Sequence, residues 1–317
     1  MLDVRVSQKT IEAEGVCSFE LLAVDGAALP AFTAGAHVDV HVAPGVVRQY
    51  SLCNSPGEKD RYLIAVLHEA QSRGGSRGMH LDVRQGGRLT ISTPRNLFDL
   101  DPSGSRYLLF AGGIGITPIL AMAHSLIAAG KDFELHYCGR SAERLAFLEL
   151  LNRPPFSAHL RLHVDAGPVE QRLDAARVLA APSPGDQLYV CGPAGFMAHI
   201  QSSATACGWL DRQIHREDFA AAPQVQEGDR PFEIELARSG RVLAVPARQT
   251  VLEVLLEHAI DIESSCEQGI CGACITPVLA GEPDHRDQFM NPAEHARNDC
   301  FTPCCSRSHS PRLVLDL

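Results

Sequence analysis
The chain has 317 residues, 45% of them apolar and 21% charged, which allows two or three domains with ample core and excludes general disorder. Its net charge of −10, with no cluster of Lys and Arg to override it, excludes a nucleic-acid surface and leaves a protein partner as the expectation. A stretch without Asp, Glu, Lys or Arg runs from Tyr107 to Gly130, long enough to cross a bilayer, but Gly112, Gly113, Gly115 and Pro118 break it into strand, turn and helix, so no membrane span is expected.

The first hundred residues are strand-like. GVCSFELLA, AHVDVHV, VVRQYSLC, DRYLIAVLHE and RLTIST, separated by Gly and Pro turns, predict a small antiparallel barrel. Within VVRQYSLC, Arg48 offers a rigid fork for phosphate, Tyr50 a flat face and Ser51 a small hydroxyl. Taken alone, that is equally an exposed strand face with a salt bridge. Further on, Arg73, Gly74, Gly75 and Ser76 join a strand to a short helix and bring backbone N–H groups and a guanidinium to one spot, a phosphate cradle or else a hairpin tip.

After LDPSGS at 100–105 the rhythm changes. RYLLFAG, a helix from about Pro118, FELHYCG, a helix over 142–151, LRLHVDAG, another helix, LYVCG and a helix from about Ala194 alternate strand with helix and predict a parallel sheet. GGIGITP follows the first of these strands directly. Thr117 is the expected N-cap and Pro118 the N1 residue of a helix whose N-terminus, beyond the Gly113 turn, suits a pyrophosphate. The spacing is not G-x-G-x-x-G, so a nucleotide-binding sheet related to the Rossmann fold is expected instead. Cys191, Gly192 and Pro193 repeat the pattern at the carboxyl end of LYV, where parallel sheets bind ligands. Ser141 and Asp165 end the two preceding strands, and Asp165 can accept hydrogen bonds from an adenosine ribose and repel a 2′-phosphate, with Arg140 the nearby cation that argues otherwise.

A third segment begins after AAAPQVQEGDR at 220–230, with two short strands, a helix starting at Thr250, a cysteine loop and a final strand RLVLDL. The loop reads C-E-Q-G-I-C-G-A-C from Cys266 to Cys274, and C-x4-C-x2-C with a distant fourth Cys is the plant-type [2Fe-2S] spacing. Gly269 and Gly272 let the backbone bend around two irons and bring N–H groups to the sulfurs. Structural zinc more often shows two C-x2-C pairs, and disulfides need an oxidising compartment, whereas the chain opens MLDVRVSQ without a basic n-region or an apolar h-region. A cytoplasmic location is therefore expected. The fourth ligand is one of Cys300, Cys304 and Cys305; if the segment is extended, Cys304 and Cys305 point to opposite sides and cannot both serve.

Together RQYSLCN, GGIGITP, CGP, CEQGICGAC and TPCCSR resemble the phthalate dioxygenase reductase family, nearest to its vanillate O-demethylase reductase branch, along essentially the whole chain. The resemblance implies an FMN-binding β-barrel over 1–100, an NAD-binding α/β domain over 101–225 and a β-grasp plant-type ferredoxin domain over 226–317. It implies that Arg48 holds the FMN phosphate, with Gly74, Gly75 and Ser76 completing that site and Tyr50 and Ser51 against the isoalloxazine. Gly113, Thr117, Ser141, Asp165, Cys191, Gly192 and Pro193 then belong to the nucleotide site, Cys191 lies near the nicotinamide, and Phe219 covers the flavin. It places the cluster on Cys266, Cys271, Cys274 and Cys304, since Cys304 precedes Cys305-Ser306-Arg307 as the family's last ligand precedes a residue and Ser-Arg.

The function so implied is an NADH-dependent oxidoreductase that moves electrons from NADH through FMN and the cluster to a terminal Rieske-type aromatic oxygenase, as a monomer and with no catalytic acid, base or nucleophile of its own. The alternative from the same modules is an FAD-containing reductase of the phenylacetyl-CoA epoxidase type serving another acceptor. A non-catalytic protein with a structural metal would be colourless and inert to NADH.

Overall fold
The computed structural model describes residues 1–69, 74–219, 226 and 228–317, in two compact units, Met1–Phe219 and Ala220–Leu317. The first unit opens with strands β1 (Leu2–Ala13), β2 (Val16–Ala23), β3 (Ala36–Ala43), β4 (Val46–Ser51) and β5 (Tyr62–Leu67), the short helix α1 (Gly75–Leu81), and strands β6 (Arg88–Ile91) and β7 (Arg95–Asn96). Their antiparallel order is β4-β3-β6-β1-β2-β5, with β7 on β3. A bridge between Leu52 and Ile64, beside a Cys53 N–H donated to Leu63 O at 2.8 Å, joins the two edges and closes the expected barrel. Strand alternation then puts Val4, Val6, Phe19, Leu21, Val38, Val40 and Ile64 inside.

The same unit continues with β8 (Arg106–Gly112), α2 (Ile116–Ala128), β9 (Asp132–Gly139), α3 (Leu148–Leu151), β10 (Leu160–Val164), α4 (Ala175–Val178), β11 (Asp186–Cys191), α5 (Ala194–Ala206) and β12 (Ile214–Glu217). The strands form a parallel sheet of order β10-β9-β8-β11-β12. Strand β8 has no charged residue after Arg106 because both its faces are covered: Leu109 and Ala111 pack with Ile116, Ile119 and Leu120 of α2, while Leu108 and Phe110 pack with Met197, Ile200 and Ala204 of α5. The α2 cluster also takes in Val16, Cys53 and Ala65 of the barrel, which is why barrel and sheet make one unit. Two buried phenols pin the connector between them: Tyr107 Oη donates to Asp101 O at 2.8 Å, and Tyr189 Oη accepts the Asp101 N–H at 2.7 Å.

Two local expectations are corrected. The helix over 142–151 is a 3-10 turn, Ala142–Arg144, followed by the single turn α3, with Phe147 at φ 61 between them. The helix after β8 starts earlier than Pro118: a 3-10 turn over Gly113–Gly115 runs into α2 at Ile116, so Thr117 lies inside the first turn, not at the N-cap. Buried, its Oγ1 donates to Ile114 O at 3.0 Å and holds the turn from within. The glycines of this turn answer two demands. Gly113 takes φ 54, and a Cβ on Gly115 would stand 2.2 Å from Cys191 O, because the turns after β8 and β11 close on each other.

The second unit contains β13 (Phe232–Leu236), β14 (Arg241–Val245), α6 (Val251–Glu257), β15 (Thr276–Ala280), β16 (Pro283–Asp284), α7 (Pro292–His295), β17 (Cys300–Phe301), β18 (Arg307–Ser308) and β19 (Arg312–Leu315). Strands β14-β13-β19-β15-β17 form a sheet in which β13 and β19 run parallel, and β16 pairs with β18. Thr250 is the N-cap of α6: its Oγ1 accepts the Glu253 N–H at 3.1 Å while Glu253 Oε2 accepts the Thr250 N–H at 2.8 Å. Val251, Val254 and Leu255 thereby face the sheet. Most of the 220–230 stretch lies outside the described residues, but Asp229 belongs firmly to this unit, paired with Arg286 at 2.6 Å.

The interlocked turns can be tested by adding one methyl group. Gly115→Ala should cost about 1–3 kcal/mol of stability, since the neighbour it meets is backbone and cannot yield. Gly195→Ala, in α5 with nothing near its Cβ position, should instead add about 0.4–1 kcal/mol. Chemical denaturation of the two variants decides; equal effects would show that the turns are not closely packed.

Candidate functional site
In the barrel, β4 pairs antiparallel with β3 so that Arg48 faces Val40, Tyr50 faces Val38 and Ser51 faces His37. The Arg48 side chain lies along the start of α1: a Cβ on Gly75 would stand 2.4 Å from its Cγ and 2.9 Å from its Nε. The Arg48 side chain and the helix start are thus brought together, with Arg48 Nη1 donating to Val47 O at 2.6 Å. Gly74 precedes α1 at φ 91, and Ser76 Oγ accepts the Glu69 N–H at 3.1 Å. Arg73 lies outside the described residues. Tyr50 is half-buried, and burial pushes its phenol above its ordinary value, so it is a neutral flat surface.

Ser51 marks where barrel meets sheet. Its Oγ donates to Glu217 Oε2 at 3.5 Å, and Glu217 ends β12 directly beside Cys191, its register partner at the end of β11. Cys191 is fully buried; burial first, then the charges of Glu217 and Asp218, pushes its thiol well above its ordinary value. It is a neutral packing group and no nucleophile. Glu217 is the residue the sequence reading passed over, although an acid closing a parallel strand next to a Cys-Gly-Pro turn was a usable signal. Burial, reinforced by the Asp218 charge and opposed by the Ser51 hydrogen bond, pushes its carboxyl up to about 8.

The remaining residues expected at a nucleotide site sit at the same edge of the sheet. Gly112 and Gly115 face Gly192 and Pro193 across the two turns, where a Cβ on Gly112 would stand 2.7 Å from Phe196 Cδ1 and 3.0 Å from Pro193 Cδ, while Gly113 has open space at its Cβ position. Ser141 follows β9, and the exposed Asp165 follows β10, its N–H donated to Gly139 O at 3.0 Å. The exposed Arg140 is adjacent, its carbonyl accepting the Ala166 N–H at 3.0 Å. Phe219 ends the unit two residues beyond β12, with 36% of its surface exposed.

In the second unit the thiols gather. None of the eleven cysteines is in a disulfide. Cys266 and Cys271 interact thiol to thiol, and so do Cys274 and Cys304. Gln268 N–H points at Cys266 Sγ (3.3 Å) and Ala273 N–H at Cys271 Sγ (3.4 Å), the backbone donors an iron–sulfur cluster requires. The Cys266 thiol is held down at about 6, by its hydrogen bond with Cys271 first and by backbone N–H groups of Ile270 and Gln268 next. A Cβ on Gly269 would stand 2.4 Å from Cys305 Sγ, and one on Gly272 would stand 2.6 Å from the Phe289 ring. Donor type, pairing and loop all fit a plant-type cluster.

Strand alternation does not separate Cys304 from Cys305, because residues 303–305 form a turn and not an extended segment. The two differ in their partners instead. The two thiols interact with each other, but Cys304 also meets Cys274, whereas Cys305 Sγ lies 3.1 Å from Thr302 Oγ1 and 3.8 Å from Ser306 Oγ. Cys300 Sγ is turned to Met290 Sδ at 3.6 Å. The Arg of the Ser-Arg pair is structural: buried Arg307 donates to Gln249 O, Arg230 O and Pro246 O and so ties the start of the unit to the cysteine turn.

Comparison with known proteins agrees with this division. The 2Fe-2S iron-sulfur cluster binding domain family matches residues 234–309. The chain is 54% identical to the vanillate O-demethylase oxidoreductase of Pseudomonas sp. (strain HR199 / DSM 7063), over 100% of each chain. It is 56% identical to the vanillate O-demethylase oxidoreductase of Pseudomonas putida, again over 100% of each. Among solved structures it matches phthalate dioxygenase reductase, a modular structure for electron transfer from pyridine nucleotides to [2Fe-2S], with a TM-score of 0.80 and 38% identity over 100% of this chain and 98% of that one.

Glu217 gives a pH signature. A carboxyl whose folded pKa is raised binds its proton more tightly folded than unfolded, so between its ordinary value and about 8 the folded state loses stability as pH rises. Glu217→Gln removes that loss. The melting temperature of the Gln variant should therefore gain on the parent from pH 5 to pH 8.5; a constant difference would show that Glu217 titrates normally.

Proposed function
The chain belongs to the phthalate dioxygenase reductase family, and we propose that it takes electrons from NADH through FMN in the barrel and delivers them from its [2Fe-2S] cluster to a terminal oxygenase of Rieske type. It is an oxidoreductase, the reductase component of an oxygenase system, built as a flavin and NAD module followed by a 2Fe-2S domain. The observation that carries the hydride half is the meeting of Ser51, on the barrel strand, with Glu217 and Cys191 at the carboxyl ends of the parallel strands. No helix among the described residues is long and apolar enough to cross a membrane.

The domains proposed are 1–100, 101–225 and 226–317, the last beginning before Asp229. When bound, the flavin accepts a hydride from the nicotinamide and releases electrons singly, chemistry that belongs to the cofactor. The chain positions it. Arg48, Gly74, Gly75 and Ser76 hold the FMN phosphate, and Tyr50 and Ser51 flank the ring. Gly113, Gly192 and Pro193 leave room for the dinucleotide, with Thr117 acting through the turn it braces. Ser141 and Asp165 take the adenosine ribose, Asp165 favouring NADH over NADPH. Cys191 closes the nicotinamide end with an uncharged sulfur, Glu217 orients the Ser51 hydroxyl by accepting its hydrogen bond, and Phe219 covers the flavin. Cys266, Cys271, Cys274 and Cys304 are the cluster ligands, and the acceptor's aromatic substrate lies outside this chain, which acts as a monomer in the cytoplasm.

The ligand assignment predicts two irons per chain, FMN in the denatured extract, and loss of the visible cluster spectrum in Cys266→Ser, Cys271→Ser, Cys274→Ser and Cys304→Ser. Cys305→Ser should keep its iron, since Cys305 pairs with Thr302, Ser306 and Cys304, and Cys304 is the thiol that meets Cys274. Iron retained in Cys304→Ser, or FAD in the extract, would overturn the respective assignment.

The division of labour predicts that a chain ending at Ala222 bleaches its flavin with NADH at close to the full-length rate in stopped flow and fails to reduce the oxygenase. A folded, flavin-loaded truncation that bleaches slowly would show that the cluster unit shapes the hydride site.

A further inference from the structure
We propose that His285, Asp287 and His295 form a second metal site on the cluster unit, for a divalent cation of the zinc type. One ligand atom from each of the three lies within 4.8 Å of the other two. His295 Nε2 stands 3.2 Å from Asp287 Oδ1, and His285 Nδ1 stands 3.9 Å from the same oxygen. Ligand atoms bound about 2.0–2.2 Å from a tetrahedral zinc stand roughly 3.3 Å from each other, so a small inward movement completes the set. Two imidazoles and one carboxylate suit zinc and its neighbours better than magnesium or calcium, and water fills the open position.

The unpartnered His285 nitrogen is what points to a cation. His285 Nε2 lies 3.1 Å from Asn298 Oδ1, and the tautomer with its proton on Nε2 leaves Nδ1 free to bind a metal. That Nδ1 is buried, on a side chain only 9% exposed, and it has no hydrogen-bond partner. Its nearest charged neighbour is the carboxylate of Asp287, whose side chain is fully buried. A buried ring nitrogen without a hydrogen-bond partner beside a buried carboxylate is unfavourable unless a cation lies between them.

Each ligand is also held from behind, as metal ligands are. Asn298 fixes the His285 ring, and Asp287 Oδ2 accepts the Met290 N–H at 2.8 Å. His295 closes α7, whose start is fastened by a capping box in which Glu294 Oε2 accepts the Asn291 N–H at 2.8 Å and Asn291 Oδ1 the Glu294 N–H at 3.0 Å. The His285 and His295 rings stack 4.5 Å apart, which presents Nδ1 of one and Nε2 of the other to Asp287 together. The partly exposed His295, at 26%, gives the ion a way in.

Such an ion would sit against the cluster loop. Gln288 N–H donates to Gly269 O at 2.8 Å, and a Cβ on Gly269 would stand 3.0 Å from Asp287 Cα. The site therefore braces the segment that packs on the cysteine turn, and it is separate from the thiols by donor type.

The test is equilibrium dialysis of the holo protein, with its cluster in place, against zinc chloride at pH 7.5, with zinc, iron and sulfide measured per chain. One zinc should bind while two irons and the visible spectrum are retained. His295→Ala and, separately, His285→Gln should weaken zinc binding by at least about tenfold, the lower end of what disturbing even a ligand's support costs. His295→Ala is the informative variant because the exposed ring can be removed with the iron content unchanged. Zinc bound only as iron is lost would place the metal on the cysteines and overturn the proposal, as would equal zinc binding by parent and His295→Ala or no zinc above background.

Discussion

Each loop assigned to a cofactor brings backbone so close to another group that a single methylene would not fit. Gly75 lies against Arg48, Gly115 against the Cys191 carbonyl, Gly269 against Cys305 Sγ and Gly272 against the Phe289 ring, each with a would-be Cβ between 2.2 and 2.6 Å away. Real Cβ atoms do not approach so closely, so a side chain at any of these positions must displace its neighbour, and at Gly115 that neighbour is backbone. The consequence runs outward. Because Gly115 allows the β8 and β11 turns to interlock, α2 and α5 both start at one edge of the sheet, and that edge becomes the place where Cys191 and Glu217 meet Ser51. Because Gly269 admits the Cys305 sulfur, the Cys304–Cys305 turn can lie under the Cys266–Cys274 loop and bring Cys304 to Cys274.

These constraints explain what could be read in the sequence. The glycines, the cysteine spacing and the alternation of β3 and β4 are local, and each showed. The charge-free run from Tyr107 was legible as a doubly covered strand because parallel strands lose their polar face. Thr117 was misread as a cap because a Thr-Pro pair after glycines suits an N-terminus, whereas the extra turn over Gly113–Gly115 was set by the nonlocal approach of Cys191. The helix over 142–151 failed similarly: Phe147 is buried, and its positive φ splits a run whose local preference is helical.

What stayed hidden was pairing between distant residues. Glu217 stands in the sequence beside Asp218 and Phe219 and gains meaning only from Ser51, 166 residues earlier. His285 and His295 are ordinary surface-type residues in sequence, and their relation to Asp287 depends on α7 folding back across them. Arg307 reads as part of a ligand motif, yet its guanidinium serves three carbonyls between residues 230 and 249. Polar partnerships of this kind leave no periodic trace, because one contact suffices where a hydrophobic face needs several.

The same partnerships divide the molecule by chemistry. Arg48, Tyr50, Ser51, Cys191 and Glu217 all lie within Met1–Phe219, and the polar contacts that orient them are made inside that unit. The five clustered thiols and the histidine pair lie within Ala220–Leu317, and the contacts that orient them are likewise internal. Asp229 falls on the cluster side through Arg286, and Arg230 does so through Arg307, so the boundary is drawn by ion pairs and hydrogen bonds at the end of a Pro-containing stretch. Two-electron chemistry demands a site where hydride donor and acceptor touch, whereas a single electron needs only proximity between centres. A chain that must do both is served by placing each demand in its own compact unit, and the residues here sort in that way.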